Sequence, residues 1–207
     1  MVRDLDVVVF GATGDTGVAS CDFLFYKGKS VGVRSWAPAA RNLKKLERVL
    51  AHVVGADENA APKDGLAPSP AIQADSNDLD SLIAMAQRAR VVVACAGPFA
   101  KYGENVIRAC VEAGTHYVDI TGETPWVSKM CKRYGEAARK KGVLLISQAA
   151  YDSVPSDLTV ALAESALRAV SFLLMRVCVE GRRGNPHHAL LSDLIAFMTG
   201  WRGNRSR

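Results

Sequence analysis

The sequence predicts an α/β fold: a doubly wound, parallel sheet with helices on both faces, followed by only the start of a second α/β domain. Three observations carry this expectation. Short apolar runs alternate with segments of helical period from residue 6 to residue 180. A spaced glycine turn follows the first run directly, at Gly11, Gly14 and Gly17. Helix punctuation recurs where the alternation needs it, with Asn42 and Pro125 at starts and Gly142 just past an end.

The elements follow in order. Asp6–Phe10 is a β-branched run that reads as a buried strand, and Gly17–Lys27 as a helix with Val18, Cys21, Leu24 and Phe25 on one side. Arg34–Ala40 is a weaker strand, because Pro38 cannot donate to a ladder. Asn42 caps a helix in which Leu43, Leu46, Leu50 and Val53 recur at helical spacing. Asp57–Pro70, with its prolines and charges, reads as a surface loop. Ala71–Ala74 is a short strand, Asp78–Arg88 a helix, and Val91–Ala96 the most apolar strand of all. Glu104–Glu112, Pro125–Lys141 and Ser156–Ala169 read as helices; His116–Ile120, Val143–Ser147 and Ser171–Glu180 read as strands. The pattern changes near residue 170, so 1–169 is the expected first domain and 170–207 the beginning of another.

Composition fits this class. Of 207 residues, 49% are hydrophobic and 23% charged, which is ordinary for a water-soluble domain. The net charge of +5 suits either a solvated surface or attraction for an anionic ligand. No basic patch is interleaved with aromatics, so nucleic acid is not an expected partner. Cys21, Cys95, Cys110, Cys131 and Cys178 form no C-x-x-C pair and read as buried free thiols of a reducing, intracellular compartment, most simply the cytoplasm. The four histidines lack ligand spacing, so no metal is expected. No run reaches the length of a transmembrane helix. Ala189–Trp201 is apolar but interrupted, leaving peripheral membrane association open beside a core or interface helix.

The glycine turn carries the chemistry. Gly11, Ala12, Thr13, Gly14, Asp15, Thr16 and Gly17 form a phosphate-binding loop of the Rossmann type between a strand and a helix. The first glycine permits the turn, the second lets backbone approach a pyrophosphate, and the third lets helix pack on strand. The helix start adds free amides and a positive dipole end. Enzymes that use NAD hold the ribose 2′-hydroxyl with an acid after the second strand. This chain has Arg41 and Asn42 there, with Lys44 and Lys45 one turn on. Arg41 can fork onto a 2′-phosphate, so the expected cofactor is NADP(H). Asp15 stabilises the helix start but would repel a pyrophosphate if it faced one. Asp75 either accepts from adenine or caps the next helix. Ala96, Gly97, Pro98 and Phe99 follow the fourth strand, where a bare backbone lets a ribose approach.

These residues resemble the saccharopine dehydrogenase-like oxidoreductases. The likeness runs through Val8–Gly14, Ala40–Leu46, Cys95–Phe99, Tyr102–Glu104, Tyr117–Glu123 and Tyr151–Asp157, across residues 5–160. It implies an NADP-dependent oxidoreductase whose second domain carries substrate binding and dimer contacts. It is weaker to the enzymes acting on saccharopine, which carry a histidine where this chain has Leu158 and Thr159.

Hydride transfer to or from a small organic substrate usually needs one acid or base. Lys101, Tyr102, Glu104, Asp119, Glu123 and Asp152 are the polar groups near the expected nicotinamide end, and nothing in the sequence singles out one as catalytic. A cofactor-binding module without catalysis, a redox sensor or scaffold, is the alternative. A homodimer through the edge of Ser171–Glu180 is a further expectation.

Overall fold

The computed structural model describes residues 3–54 and 65–165. Six parallel strands form one sheet in the order β3-β2-β1-β4-β5-β6. The strands are β1 (Leu5–Phe10), β2 (Trp36–Ala40), β3 (Ile72–Gln73), β4 (Ala89–Ala94), β5 (His116–Asp119) and β6 (Leu145–Ile146). The helices are α1 (Asp15–Lys27), α2 (Leu43–Val54), α3 (Leu79–Arg88), α4 (Phe99–Tyr102), α5 (Glu104–Ala113) and α6 (Thr124–Lys141). The order reverses between β1 and β4, the switch point at which the carboxyl ends of strands open a crevice.

The central strand β1 is buried on both faces. Val9 packs with Cys21, Leu24 and Phe25 of α1 and Leu46 and Val53 of α2. Val8 and Phe10 join the opposite core with Leu82 and Met85 of α3, Val106 and Ile107 of α5, and Trp126 and Met130 of α6. Alternation along one strand thus serves two layers of helices.

Pro38 sits in the middle of β2, paired with Val9. On the β3 side, Trp36 accepts from the Ser69 N–H at 2.8 Å and Ala40 from the Ala74 N–H at 3.2 Å. Alternation in a parallel ladder puts the missing N–H of Pro38 on that same side, before β3 starts at Ile72. No ladder bond is lost there.

Several boundaries differ from expectation. α1 starts at Asp15 with Gly14 as its N-cap, so Gly17 lies inside the first turn. β4 runs two residues earlier than its apolar run suggests, because α3 passes into it with no intervening loop. The end of the expected surface loop is anchored: the Leu66 carbonyl accepts from the buried Trp36 indole at 2.8 Å, and the Leu66 N–H donates to Phe25 at 2.8 Å. Cys131 is exposed on α6, whereas Cys21 and Cys110 are buried and Cys95 is half-buried. Its neighbours Lys129 and Lys132 share that solvent-facing stretch.

The chain divides into two compact units, Met1–Ser153 and Val154–Arg207. In the second, residues 154–165 are helical. The expected boundary at 169/170, the expected strand Ser171–Glu180, Cys178 and the apolar stretch Ala189–Trp201 lie outside the described residues.

One stability prediction arises from the start of β1. Asp6 accepts from Arg34 Nε at 3.0 Å, Arg34 Nη2 at 2.9 Å and the Arg34 N–H at 3.0 Å. These bonds pull its carboxyl from the usual 3.8 down to about 2. A lowered folded pKa stabilises above the unfolded value and is lost as pH falls through the folded one. Arg34 is largely exposed, so the contribution is about 1 kcal/mol or less. Asp6→Asn should lower stability at neutral pH and flatten its decline as pH falls from 3.8 to about 2. Urea midpoints across that range check it; parallel acid limbs for both proteins would contradict it.

Candidate dinucleotide groove

A groove of about 450 Å³ opens beyond the carboxyl ends of β1, β2, β3 and β4. One wall is Arg41, Asn42 and Lys45 after β2, with Asp75 and Ser76 after β3. The other is Cys95, Ala96, Gly97 and Tyr102 after β4. Gly11, Thr13 and Gly14 form the floor between them.

The floor is shaped by close backbone approach. Gly11 has φ +84, and a Cβ there would stand 2.8 Å from the Ala96 nitrogen. The turn after β1 and the segment after β4 can meet only across a glycine in this left-handed conformation. A Cβ at Gly17 would stand 2.2 Å from the Gly11 oxygen, so α1 lies directly on the turn. Gly14 is different: it is exposed, and its nearest such neighbour is 3.7 Å away. It caps α1 with no side-chain hydrogen bond. The first-turn amides of a 13-residue helix are therefore left for an anion.

Of the residues expected to hold cofactor, Gly11, Thr13, Gly14, Arg41, Asn42, Asp75, Ala96 and Gly97 line the groove. Ala12, Asp15, Thr16, Gly17, Pro98 and Phe99 do not. Ala12 and Gly17 are buried beneath the turn, while Asp15 and Thr16 are exposed on α1. Phe99 is buried against Trp126, with ring centroids 5.9 Å apart. Asn42 Oδ1 accepts from the Lys45 N–H at 3.0 Å, the expected cap of α2. Asp75 does not cap α3. Its Oδ1 accepts from the Asn77 N–H at 2.9 Å, and Asp78 is the cap, accepting from Asp80 and Ser81.

The acid–base candidates separate sharply. Glu104 accepts from Tyr134 at 3.1 Å and pairs with Arg133 on α6. Asp119 is fully buried and accepts from the N–H groups of Thr121 and Gln148, each at 3.0 Å, and from the Ser147 hydroxyl at 2.9 Å. Glu123 accepts from the backbone of α4. Lys101 is exposed, its ammonium 5.1 Å from the centre of the Tyr102 ring, and Asp152 is exposed too. Tyr102 alone of the six lines the groove.

Sequence reasoning passed over Cys95 as a lining residue. The signal was its place immediately after β4. Burial pushes its thiol up, and the Ser20 hydroxyl lies 3.8 Å away. Lys45, in the first turn of α2, lines the groove beside Arg41 and completes the basic wall.

Known proteins carry the same pattern. The family described as the saccharopine dehydrogenase NADP binding domain matches residues 7–146. A "Lipid droplet localized protein" of Caenorhabditis elegans is 42% identical over 157 residues, covering 75% of this chain and 35% of that protein. A "Saccharopine dehydrogenase-like oxidoreductase" of Rattus norvegicus is 38% identical over 165 residues, covering 76% of this chain and 37% of its own length. The chain thus spans little more than a third of these relatives. Among solved structures, apo saccharopine dehydrogenase (L-Glu forming) from Saccharomyces cerevisiae superposes with a TM-score of 0.58 at 13% identity, covering 80% of this chain and 32% of that one. At that identity it shows the shared fold.

Proposed function

This chain belongs to the saccharopine dehydrogenase NADP binding domain family, and from that premise we propose that it binds NADP(H) in the groove as the cofactor half of an oxidoreductase. The carrying observation is the pairing of an α1 N-terminus that lacks a side-chain cap with a basic wall at Arg41 and Lys45. The first-turn amides suit a pyrophosphate, and the guanidinium suits a 2′-phosphate. Asp15 is exposed and does not line the groove, a placement that supports this reading. The bound cofactor would supply a hydride for a small organic substrate. Within the groove, Tyr102 is the side chain that could hold or deliver a proton. The test of binding is saturable NADPH fluorescence at one site per chain; absence of saturation would remove the proposal.

Glu104, Asp119 and Glu123 bind structure rather than space in the groove, which favours a second reading: this chain binds cofactor without turning it over. An NADPH-oxidation assay over imines, ketones and enoyl thioesters is expected to show no turnover above background. Robust turnover by a monomeric chain would contradict it. Light scattering alongside reads whether the chain forms the homodimer we propose. Among the described residues no helix is long and apolar enough to cross a membrane. Given the name of the nematode relative, peripheral association with a lipid surface is proposed as well, with vesicle co-sedimentation as its test.

A further inference from the structure

Glu123 does not line the groove, yet one wall of the groove depends on it. Its carboxylate grips two consecutive backbone amides: the Phe99 N–H donates to Oε1 at 2.7 Å, and the Ala100 N–H donates to Oε2 at 2.9 Å. These open α4, so the charge also meets the positive end of that short helix. The bond spans 24 residues of sequence and joins the loop after β5 to the loop after β4.

The carboxylate is itself held in place. The Glu123 N–H donates to the Thr121 hydroxyl at 3.1 Å, and the Thr121 N–H donates to the buried Asp119 at 3.0 Å. The Glu123 carbonyl accepts from the Trp126 and Val127 N–H groups at 2.9 and 3.1 Å, starting α6. Trp126 then packs on Phe99 and lies over Gly103, where a Cβ would come within 2.7 Å of the indole. Residues 99–103 are fastened at one end by the carboxylate and at the other by the indole.

That fastened segment bears Tyr102, and the residues leading into it are Cys95, Ala96 and Gly97, which together form the β4-side wall. Among the described residues no hydrogen bond joins Arg41 or Lys45 to residues 95–103; the nearest tie between the walls is from the Asn105 amide, on α5, to the Ser76 carbonyl at 2.9 Å. On the reading that this groove holds a dinucleotide, we propose that Glu123 is a positioning residue for its nicotinamide half alone. It sets the wall after β4 and leaves the adenosine 2′-phosphate half untouched.

The test is calorimetric titration of the 207-residue chain with NADPH and, separately, with adenosine 2′,5′-bisphosphate, which carries only the adenosine half. Glu123→Ala should weaken NADPH roughly tenfold or more and leave the bisphosphate within about twofold, since two charge-assisted bonds are lost on one wall only. Glu123→Gln keeps one acceptor oxygen and should fall between, which serves if the alanine variant folds poorly. Arg41→Ala should instead weaken both ligands by a similar factor, because both carry the adenosine 2′-phosphate. Equal loss of both ligands in the Glu123 variants would mean a general structural role and overturn the proposal, as would no loss of either. If the unmutated chain binds neither ligand, the groove reading itself falls and takes this proposal with it.

Discussion

Gly17→Ala is expected to lower the melting temperature by roughly 6–12 °C, from an overpacking cost near 3 kcal/mol in a domain of this size. The new methyl would stand 2.2 Å from the Gly11 oxygen and 2.8 Å from the Ala12 Cα, both backbone atoms that cannot rotate away. Relief would require α1 to lift off the turn, opening the core where Cys21 and Leu24 meet Val9. Gly14→Ala, three residues earlier in the same loop, is the informative partner. Its methyl would meet nothing nearer than 3.7 Å, and its φ of −95 suits any residue. Stability should change by about 1 kcal/mol or less, the range for a helix N-cap. NADPH affinity should nevertheless fall, because the methyl would point where a pyrophosphate must approach. Thermal melts and NADPH titrations on both variants separate packing from binding. A Gly17→Ala variant melting within about 2 °C of the parent would refute the packing argument.

Arg41→Ala should weaken NADPH by about 1.5–3 kcal/mol, tenfold to more than a hundredfold, and NADH by far less. Arg41 is exposed at the end of β2 and lines the groove, and its backbone carbonyl accepts from Gln73 Nε2 at 3.4 Å. No carboxylate among the described residues pairs with it. The guanidinium is thus available for a bidentate bond to a phosphate. Because the site is open to solvent, the preference for NADPH should shrink as salt rises. Lys45 supplies a second positive charge on the same wall, so Arg41→Ala should retain part of the preference and the double variant with Lys45→Ala should lose it. Equal affinity of the parent for NADPH and NADH would sink the 2′-phosphate assignment.

The layered fold was legible because its signals are local. Within residues 5–147 each apolar run read as a strand marks one, and Leu43, Leu46 and Val53 mark α2 by spacing alone. The groove was legible at the level of loops, since parallel topology carries the ends of β1 to β4 to one side. What escaped was set by contacts distant in sequence. The apolar run from Val91 overshoots β4 because Cys95 and Ala96 are packed beneath Gly11 after the ladder has ended. The helix α4 has four residues and no period to read, and its cap comes from Glu123. Asp119 looks like an available acid in sequence, but it is the hub that ties β5 to Ser147 and Gln148. Asp78 rather than Asp75 caps α3 because Asp75 turns back onto Asn77. Such choices between neighbouring carboxylates depend on three-dimensional reach, which spacing does not encode.

The most direct test is a crystal structure of the chain grown with NADPH. The account predicts cofactor density across the carboxyl ends of β1 and β4. Its pyrophosphate should lie on the first-turn amides of α1 beside Gly14, and its 2′-phosphate within hydrogen-bond distance of Arg41. Density elsewhere on the chain, or a cofactor in the groove whose 2′-phosphate points away from Arg41 into solvent, would contradict it.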